Sequence, residues 1–300
     1  MNMKELENCK ICPRNCNVNR LMKKTGYCRC DDSIKIALVS THYYEEPCIS
    51  EENGSGTIFF SNCNMSCKFC QNYEISQQGK GKIVSINRLA EIMLEQQERK
   101  VNNINLVTPT MYVYQIIEAI KIARKKGLNI PIIYNTNSYE NVETIKALKG
   151  YIDIYLPDLK YYTDELSIKY SNAMHYFDNA TNAILEMKKQ IPNYEFDESG
   201  IMKKGVIIRH LILPNYIQNT KNILKWIKKN FNDNIYVSIM AQYFPTYKAK
   251  EDDKINRKIS LKEYREIEKY VYELNFKNGY MQDLGKHEEE YVPKFNYRNI

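Results

Sequence analysis

The stretch SNCNMSCKFCQN, residues 61–72, carries three of the chain's nine cysteines, at Cys63, Cys67 and Cys70. Their C-x3-C-x2-C spacing puts three thiols on one short loop. Four thiolates close a tetrahedral metal site or fill a four-iron four-sulfur cluster, whereas three leave one coordination position open. The loop follows TIFFS, residues 57–61, which reads as a strand. Residues just past strand ends form the face on which a parallel α/β barrel builds its site.

From this point the chain alternates short apolar runs with longer amphipathic ones. TIFFS is followed by INLVT (104–108), IPIIYN (130–135), YIDIYL (151–156), GVIIRHLIL (205–213) and NIYVSIM (234–240), six candidate strands. Helical periodicity appears at 85–100, 112–127, 138–150, 220–230 and 260–274, and Ser138 reads as an N-cap. The stretch 161–204 is long for one crossover and predicts extra helices at 168–177 and 182–191, with a loop from Pro192 to Gly200. Near-continuous apolar strands alternating with helices imply a parallel sheet covered by helices. Six units fall short of a full eightfold barrel. The expected fold is α/β, a partial (β/α)6 barrel at 51–250, preceded by a Cys-rich module at 1–50 and followed by a C-terminal helix and tail at 251–300. An open doubly wound sheet is the alternative.

Composition narrows the setting. A chain of 300 residues, 43% of them hydrophobic, can bury a sizeable core. No apolar run is long enough to span a membrane, and MNMKELENCKICPR has no signal-peptide character. The expectation is a cytoplasmic protein without a membrane partner, in which clustered cysteines bind metal before they form disulfides. The net charge of +7 is spread over short groups such as KIARKKG (121–127), which read as solvated helix faces. The 25 tyrosines show no base-stacking spacing, so a nucleic-acid partner is not expected.

With Phe69 before the last cysteine of the loop, the sequence resembles the radical SAM superfamily. The resemblance implies a 4Fe-4S cluster on Cys63, Cys67 and Cys70. Its open iron would bind the amino and carboxylate groups of S-adenosylmethionine, with Phe69 bordering the adenine. One electron would then cleave the sulfonium, and the resulting 5′-deoxyadenosyl radical would abstract hydrogen from a substrate. Further runs, EEPCIS (45–50), NLVTPT (105–110), YNTNSYE (134–140), DIYLPDLKYY (153–162), IRHLILP (208–214) and IMAQYFP (239–245), are similar to the pyruvate formate-lyase-activating-enzyme-like branch. That branch implies a protein or peptide substrate, such as the glycine of a glycyl-radical enzyme, and a reduced flavodoxin or ferredoxin-type electron donor. A small-molecule or RNA substrate is the alternative within this chemistry. A zinc or iron–sulfur binding protein without activity is the alternative outside it.

Individual residues then take expected roles. Asp158 and Lys160 match the Asp-x-Lys motif of the activases, which implies a lysine beside the cofactor carboxylate, fixed by the aspartate. Strand alternation puts Ile207, Arg209, Leu211 and Leu213 on one face of GVIIRHLIL. An arginine there needs an anion, which the resemblance makes the cofactor carboxylate. His210 faces the other way, as a packed histidine. Thr108 and Thr110 stand where many relatives have Gly-Gly-Glu-Pro, and could accept from the cofactor ammonium. Asn135 and Asn137 could reach the ribose or a cation, and Gln242 and Tyr243 would border adenine or substrate. His42, Glu45 and Glu46 could line the substrate mouth.

Cys9, Cys12, Cys16 and Cys28 form a second set, C-x2-C-x3-C-x11-C, with Cys30 close behind. It can close a complete site, either a structural zinc or a second 4Fe-4S cluster. Cys48 is a buried thiol, a substrate-facing thiol, or the fourth ligand that would turn the 63–70 loop into a zinc site.

Overall fold

The computed structural model describes residues 3–285, 295, 297, 299 and 300, so part of the expected C-terminal tail lies outside the described residues. In chain order the strands are β1 (Ile34–His42), β2 (Ser55–Phe60), β3 (Lys82–Val84), β4 (Ile104–Val107), β5 (Ile132–Thr136), β6 (Ile154–Pro157), β7 (Glu195–Phe196), β8 (Met202–Leu211), β9 (Tyr236–Met240) and β10 (Gly279–Met281). The helices are α1 (Tyr73–Ser76), α2 (Ile86–Glu98), α3 (Val113–Lys125), α4 (Val142–Ala147), α5 (Asp164–Ser171), α6 (Tyr176–Gln190), α7 (Ile217–Phe231) and α8 (Leu261–Leu274).

All six expected strands form, as β2, β4, β5, β6, β8 and β9. They lie side by side in one sheet of order β10-β9-β8-β6-β5-β4-β2-β1-β3. Every pairing from β2 through β10 on this path is parallel. The ends of the path do not pair, so the barrel is partial and open. Two layers of apolar side chains explain the near-continuous strands. Val206 and Ile208 of β8 join Ile116, Ile117 and Ile120 of α3 in the outer core. Ile207 turns the other way, into an inner cluster with Ile133, Ile154, Leu156, Ile49 and Cys48. Each fully buried isoleucine contributes roughly 1.5–3 kcal/mol of transfer free energy.

Some expectations are corrected. β1 was not anticipated: it precedes the alternating region and pairs antiparallel with both β2 and β3. Ser138 is not an N-cap; its φ is +65°, and α4 begins after Asn141. The helices expected at 168–177 and 182–191 are α5 and α6, which break at Asn172. That residue takes a left-handed φ of +49° and closes α5 through its N–H to Ile168 O. The 192–200 loop contains β7, which hairpins onto β8. No described helix is long and apolar enough to cross a membrane.

Candidate active site

The carboxyl ends of β2, β4, β5, β6, β8 and β9 open into one cavity of about 500 Å3. Its wall includes Cys63, Cys67 and Cys70, with Asp158 and Lys160 from the segment just past β6 and Arg209 from β8. That volume lies within the usual range for a site that holds a drug-sized ligand.

The 61–70 loop is held from several sides. Ser61 Oγ donates to Lys80 O at 2.6 Å, and Gly81 passes so close that an added Cβ would clash with the Ser61 hydroxyl. Lys68 N–H donates to Tyr170 O at 2.8 Å and Ser66 N–H to Ser171 O at 3.0 Å, which ties the loop to α5. Each sulfur also has a polar neighbour. Asn137 Nδ2 and Met65 N–H each donate to Cys63 Sγ at 3.4 Å. Ser171 Oγ donates to Cys67 Sγ at 2.9 Å, and Ser76 Oγ lies 3.2 Å from Cys70 Sγ. Burial raises all three thiols, and burial together with the neighbouring Cys67 takes that of Cys70 to about 11. Lys160 opposes the rise at Cys67. Thiols so placed stay protonated until a metal takes the proton's place.

Beside them lies a buried charge network. Lys160 Nζ stands 2.6 Å from Asp158 Oδ2, and Arg209 Nε 2.9 Å from Asp158 Oδ1. Arg209 Nη1 reaches Glu45 Oε2 at 3.1 Å, while its Nη2 donates to Asn135 Oδ1 at 2.5 Å. Asn105 Nδ2 donates to the second Glu45 oxygen at 3.0 Å. Burial works against the Asp158 charge, but Lys160 and Arg209 hold its carboxyl below the ordinary range. Burial instead pushes Glu45 and Glu46 up, against the pull of Arg209. Among the described residues Glu46 Oε2 has no hydrogen-bond partner.

The structure brings Phe69, Thr108, Asn135, Asn137 and Gln242 to this cavity, together with His42, Glu45 and Glu46. It moves two expected residues away. Thr108 takes a left-handed φ of +59°, which turns the chain so that Thr110 points to the buried Glu140 and donates to it at 2.6 Å. Tyr243 stacks edge-on behind Phe69, and its hydroxyl is committed to Ile255 O at 2.7 Å. Arg209 finds its anions within the chain, in Asp158 and Glu45. Cys48 sits in the inner cluster and does not line the cavity, so it is not placed to be a fourth ligand. His210 is packed and bonded, with Nδ1 2.6 Å from Leu159 O and Nε2 2.9 Å from Thr220 Oγ1. Ser76, Ser171 and Asn64, whose Oδ1 accepts from Asn137 Nδ2 at 2.9 Å, escape the sequence reading, because isolated Ser and Asn residues carry no periodic or spacing signal.

Glu140 yields a pH prediction. Its Oε1 accepts from Thr110, Tyr134 and Thr136, yet burial raises its carboxyl from 4.5 to about 7. Its folded pKa exceeds its unfolded one, so this stabilisation is complete below pH 4.5 and is lost as pH rises through 7. The linked loss is about 3 kcal/mol by pH 8. In urea unfolding at a series of pH values, the wild-type minus Glu140→Gln difference should fall by about that amount over this span. A pH-independent difference would refute the assignment.

The N-terminal cysteines gather separately. Cys9, Cys12, Cys16 and Cys28 line a second, smaller cavity. Among the described residues no three His, Cys, Asp or Glu side chains are placed to hold a single metal ion, here or at Cys63, Cys67 and Cys70.

Comparison with known proteins agrees with this geometry. Residues 57–199 match the family model of the radical SAM superfamily. The uncharacterized protein MJ0674 of Methanocaldococcus jannaschii is 36% identical over 276 residues, covering 88% of this chain and 73% of that one. A radical SAM methyltransferase from Sphaerobacter thermophilus superposes with a TM-score of 0.52 at 13% identity, over 75% of this chain and 65% of its own. Methylornithine synthase (PylB) gives 0.51 at 16% identity, over 75% and 66%. Streptococcus suis SuiB bound to S-adenosylmethionine gives 0.50 at 16% identity over 77% of this chain, which spans 50% of SuiB. At these identities the solved structures speak for the fold, and the family model and the relative for the lineage. Three thiols on the loop after β2, at the open end of a partial parallel barrel, thus have a family context: the chain belongs to the radical SAM superfamily.

Proposed function

We propose that this radical SAM enzyme abstracts hydrogen from a protein or peptide, in the manner of the glycyl-radical-enzyme activases. The observation that carries the reading is the Asp158–Lys160–Arg209 network beside the three thiols. The aromatic rim of the same cavity supports a polypeptide substrate: Tyr43 and Tyr44 line it and are 55% and 46% exposed.

The family brings a 4Fe-4S cluster and S-adenosylmethionine, and the residues fit both. Three thiols share one wall, each with a polar partner, and the cavity is large enough for a nucleoside-sized ligand. When bound, the pair supplies one-electron cleavage of a sulfonium bond, and with it the power to take a hydrogen atom. In this reading Cys63, Cys67 and Cys70 hold the cluster, and Ser171 and Asn137 steady two of the thiolates. Lys160, kept charged by Asp158, meets a carboxylate beside Cys67. Phe69 presents an apolar face for a base, while Thr108, Asn135, Asn137 and Gln242 offer polar contacts along the wall. Arg209 fixes Asp158, Glu45 and Asn135 in one arrangement and so acts as a positioning residue. Asp158, Lys160 and Arg209 are largely buried, which strengthens the interactions among their charges.

The test is isotope transfer. Peptides deuterated at glycine and a panel of deuterated small metabolites are incubated separately with reconstituted enzyme, reductant and S-adenosylmethionine. Deuterium in 5′-deoxyadenosine from the peptides supports the reading. Label arriving only from small metabolites overturns the substrate class.

A further inference from the structure

The N-terminal thiol set lies outside this cavity and has no role in the reading above. Cys9, Cys12, Cys16 and Cys28 enclose about 20 Å3 that the centre of a water-sized sphere can occupy. The wall is shaped for sulfur. Tyr27 N–H donates to Cys16 Sγ at 3.4 Å, and a Cβ on Gly26 would stand 2.6 Å from that sulfur. Arg20 is only 1% exposed and also lines the cavity. Its guanidinium donates to Asp31 O and Met111 O, and no described carboxylate pairs with it. A buried guanidinium without an anion is costly, by several kcal/mol. It shares the cavity wall with Cys9, Cys12, Cys16 and Cys28, and a metal centre with four thiolate ligands supplies the negative charge that four neutral thiols do not.

A structural zinc and a 4Fe-4S cluster take the same four thiolates, but only the cluster carries an electron, and the position of this set decides between them.

The set also abuts the radical-cluster loop. Asn62, the residue before Cys63, donates to Cys30 Sγ at 3.3 Å. Arg14 Nε donates to Asn64 O at 3.0 Å, and the Tyr27 hydroxyl meets Ser66 Oγ at 2.7 Å. At the other end Cys12 and Cys16 are half-buried, and the exposed Lys10 and Lys24 lie near them in sequence, while Lys23 is paired with Asp32. Basic charge around a partly exposed redox centre suits an acidic carrier.

We propose that Cys9, Cys12, Cys16 and Cys28 hold a second 4Fe-4S cluster, which passes single electrons from an acidic carrier protein to the cluster at Cys63, Cys67 and Cys70. One electron leaves a reduced flavodoxin or ferredoxin-type carrier, reduces the second cluster, and moves on to the first. No bond is made or broken in these steps. The proposal rests on the radical SAM assignment for the electron's destination, and its metal content is tested independently of activity.

The decisive sample is full-length Cys63→Ala/Cys67→Ala/Cys70→Ala, purified and reconstituted without oxygen. About four iron and four sulfide per chain, with the paramagnetic resonance signal of a reduced cluster, are expected. Iron-free protein, or one zinc in place of iron, overturns the proposal. The route is tested with Cys12→Ser/Cys16→Ser. This variant should make 5′-deoxyadenosine at the wild-type rate with dithionite, but at least roughly tenfold more slowly with reduced flavodoxin. Wild-type rates with both reductants, or equal slowing with both, overturn the relay. If wild-type protein cleaves no S-adenosylmethionine at all, the assignment of the first site fails, while the iron count still decides the second cluster.

Discussion

Cys67→Ala should purify with roughly four fewer iron atoms per chain than wild type and form 5′-deoxyadenosine only at the level of the protein-free control. Cys67 stands between its two partner thiols in sequence, accepts from Ser171 at 2.9 Å and, like Cys70, feels the Lys160 charge. No described residue is placed to replace it: Cys48 sits in the inner cluster, and the N-terminal thiols line their own cavity. Folding should survive, because the loop is held through backbone bonds to Tyr170 and Ser171 that the substitution leaves in place. Circular dichroism checks the fold, and iron analysis with product chromatography checks the claim. Retention of the wild-type iron content would place the cluster elsewhere.

Asp158→Asn should destabilise the protein by about 3–5 kcal/mol, the usual cost of stranding buried charges. The aspartate is shared by Lys160 and Arg209, and all three side chains are largely buried, so neutralising it takes from Lys160 its carboxylate and leaves Arg209 with Glu45 alone. Lys160→Met should be milder, because Asp158 keeps Arg209. Its larger effect should be weaker S-adenosylmethionine binding, through loss of the cation beside Cys67. Urea midpoints and equilibrium dialysis separate the two effects. An Asp158→Asn protein as stable as wild type would mean that the network is solvated and is not the frame of the site.

Much of this frame is visible in the sequence because strand periodicity is strict. Alternation along GVIIRHLIL puts Arg209 on the cavity side and His210 on the helix side, and the structure agrees. The 61–72 loop and Asp158-x-Lys160 are likewise local patterns at strand ends. What escaped depends on long-range contacts. β1 is an antiparallel edge partner outside the β/α rhythm, so only its pairing with β2 and β3 defines it. Thr110 and Tyr243 were misplaced because one left-handed residue at Thr108 and one hydroxyl bond to Ile255 redirect them. One of the two anions for Arg209, Glu45, comes from a loop 164 residues away in sequence, and no spacing rule links the two. The same holds for Ser171, which reaches Cys67 across 104 residues.

The central claim is that these three thiols support reductive cleavage of S-adenosylmethionine. The most direct measurement is chromatography of an anaerobic reaction of the reconstituted full chain with dithionite and S-adenosylmethionine. The account predicts 5′-deoxyadenosine and methionine in equal amounts. Intact S-adenosylmethionine from protein carrying its full complement of iron would contradict it.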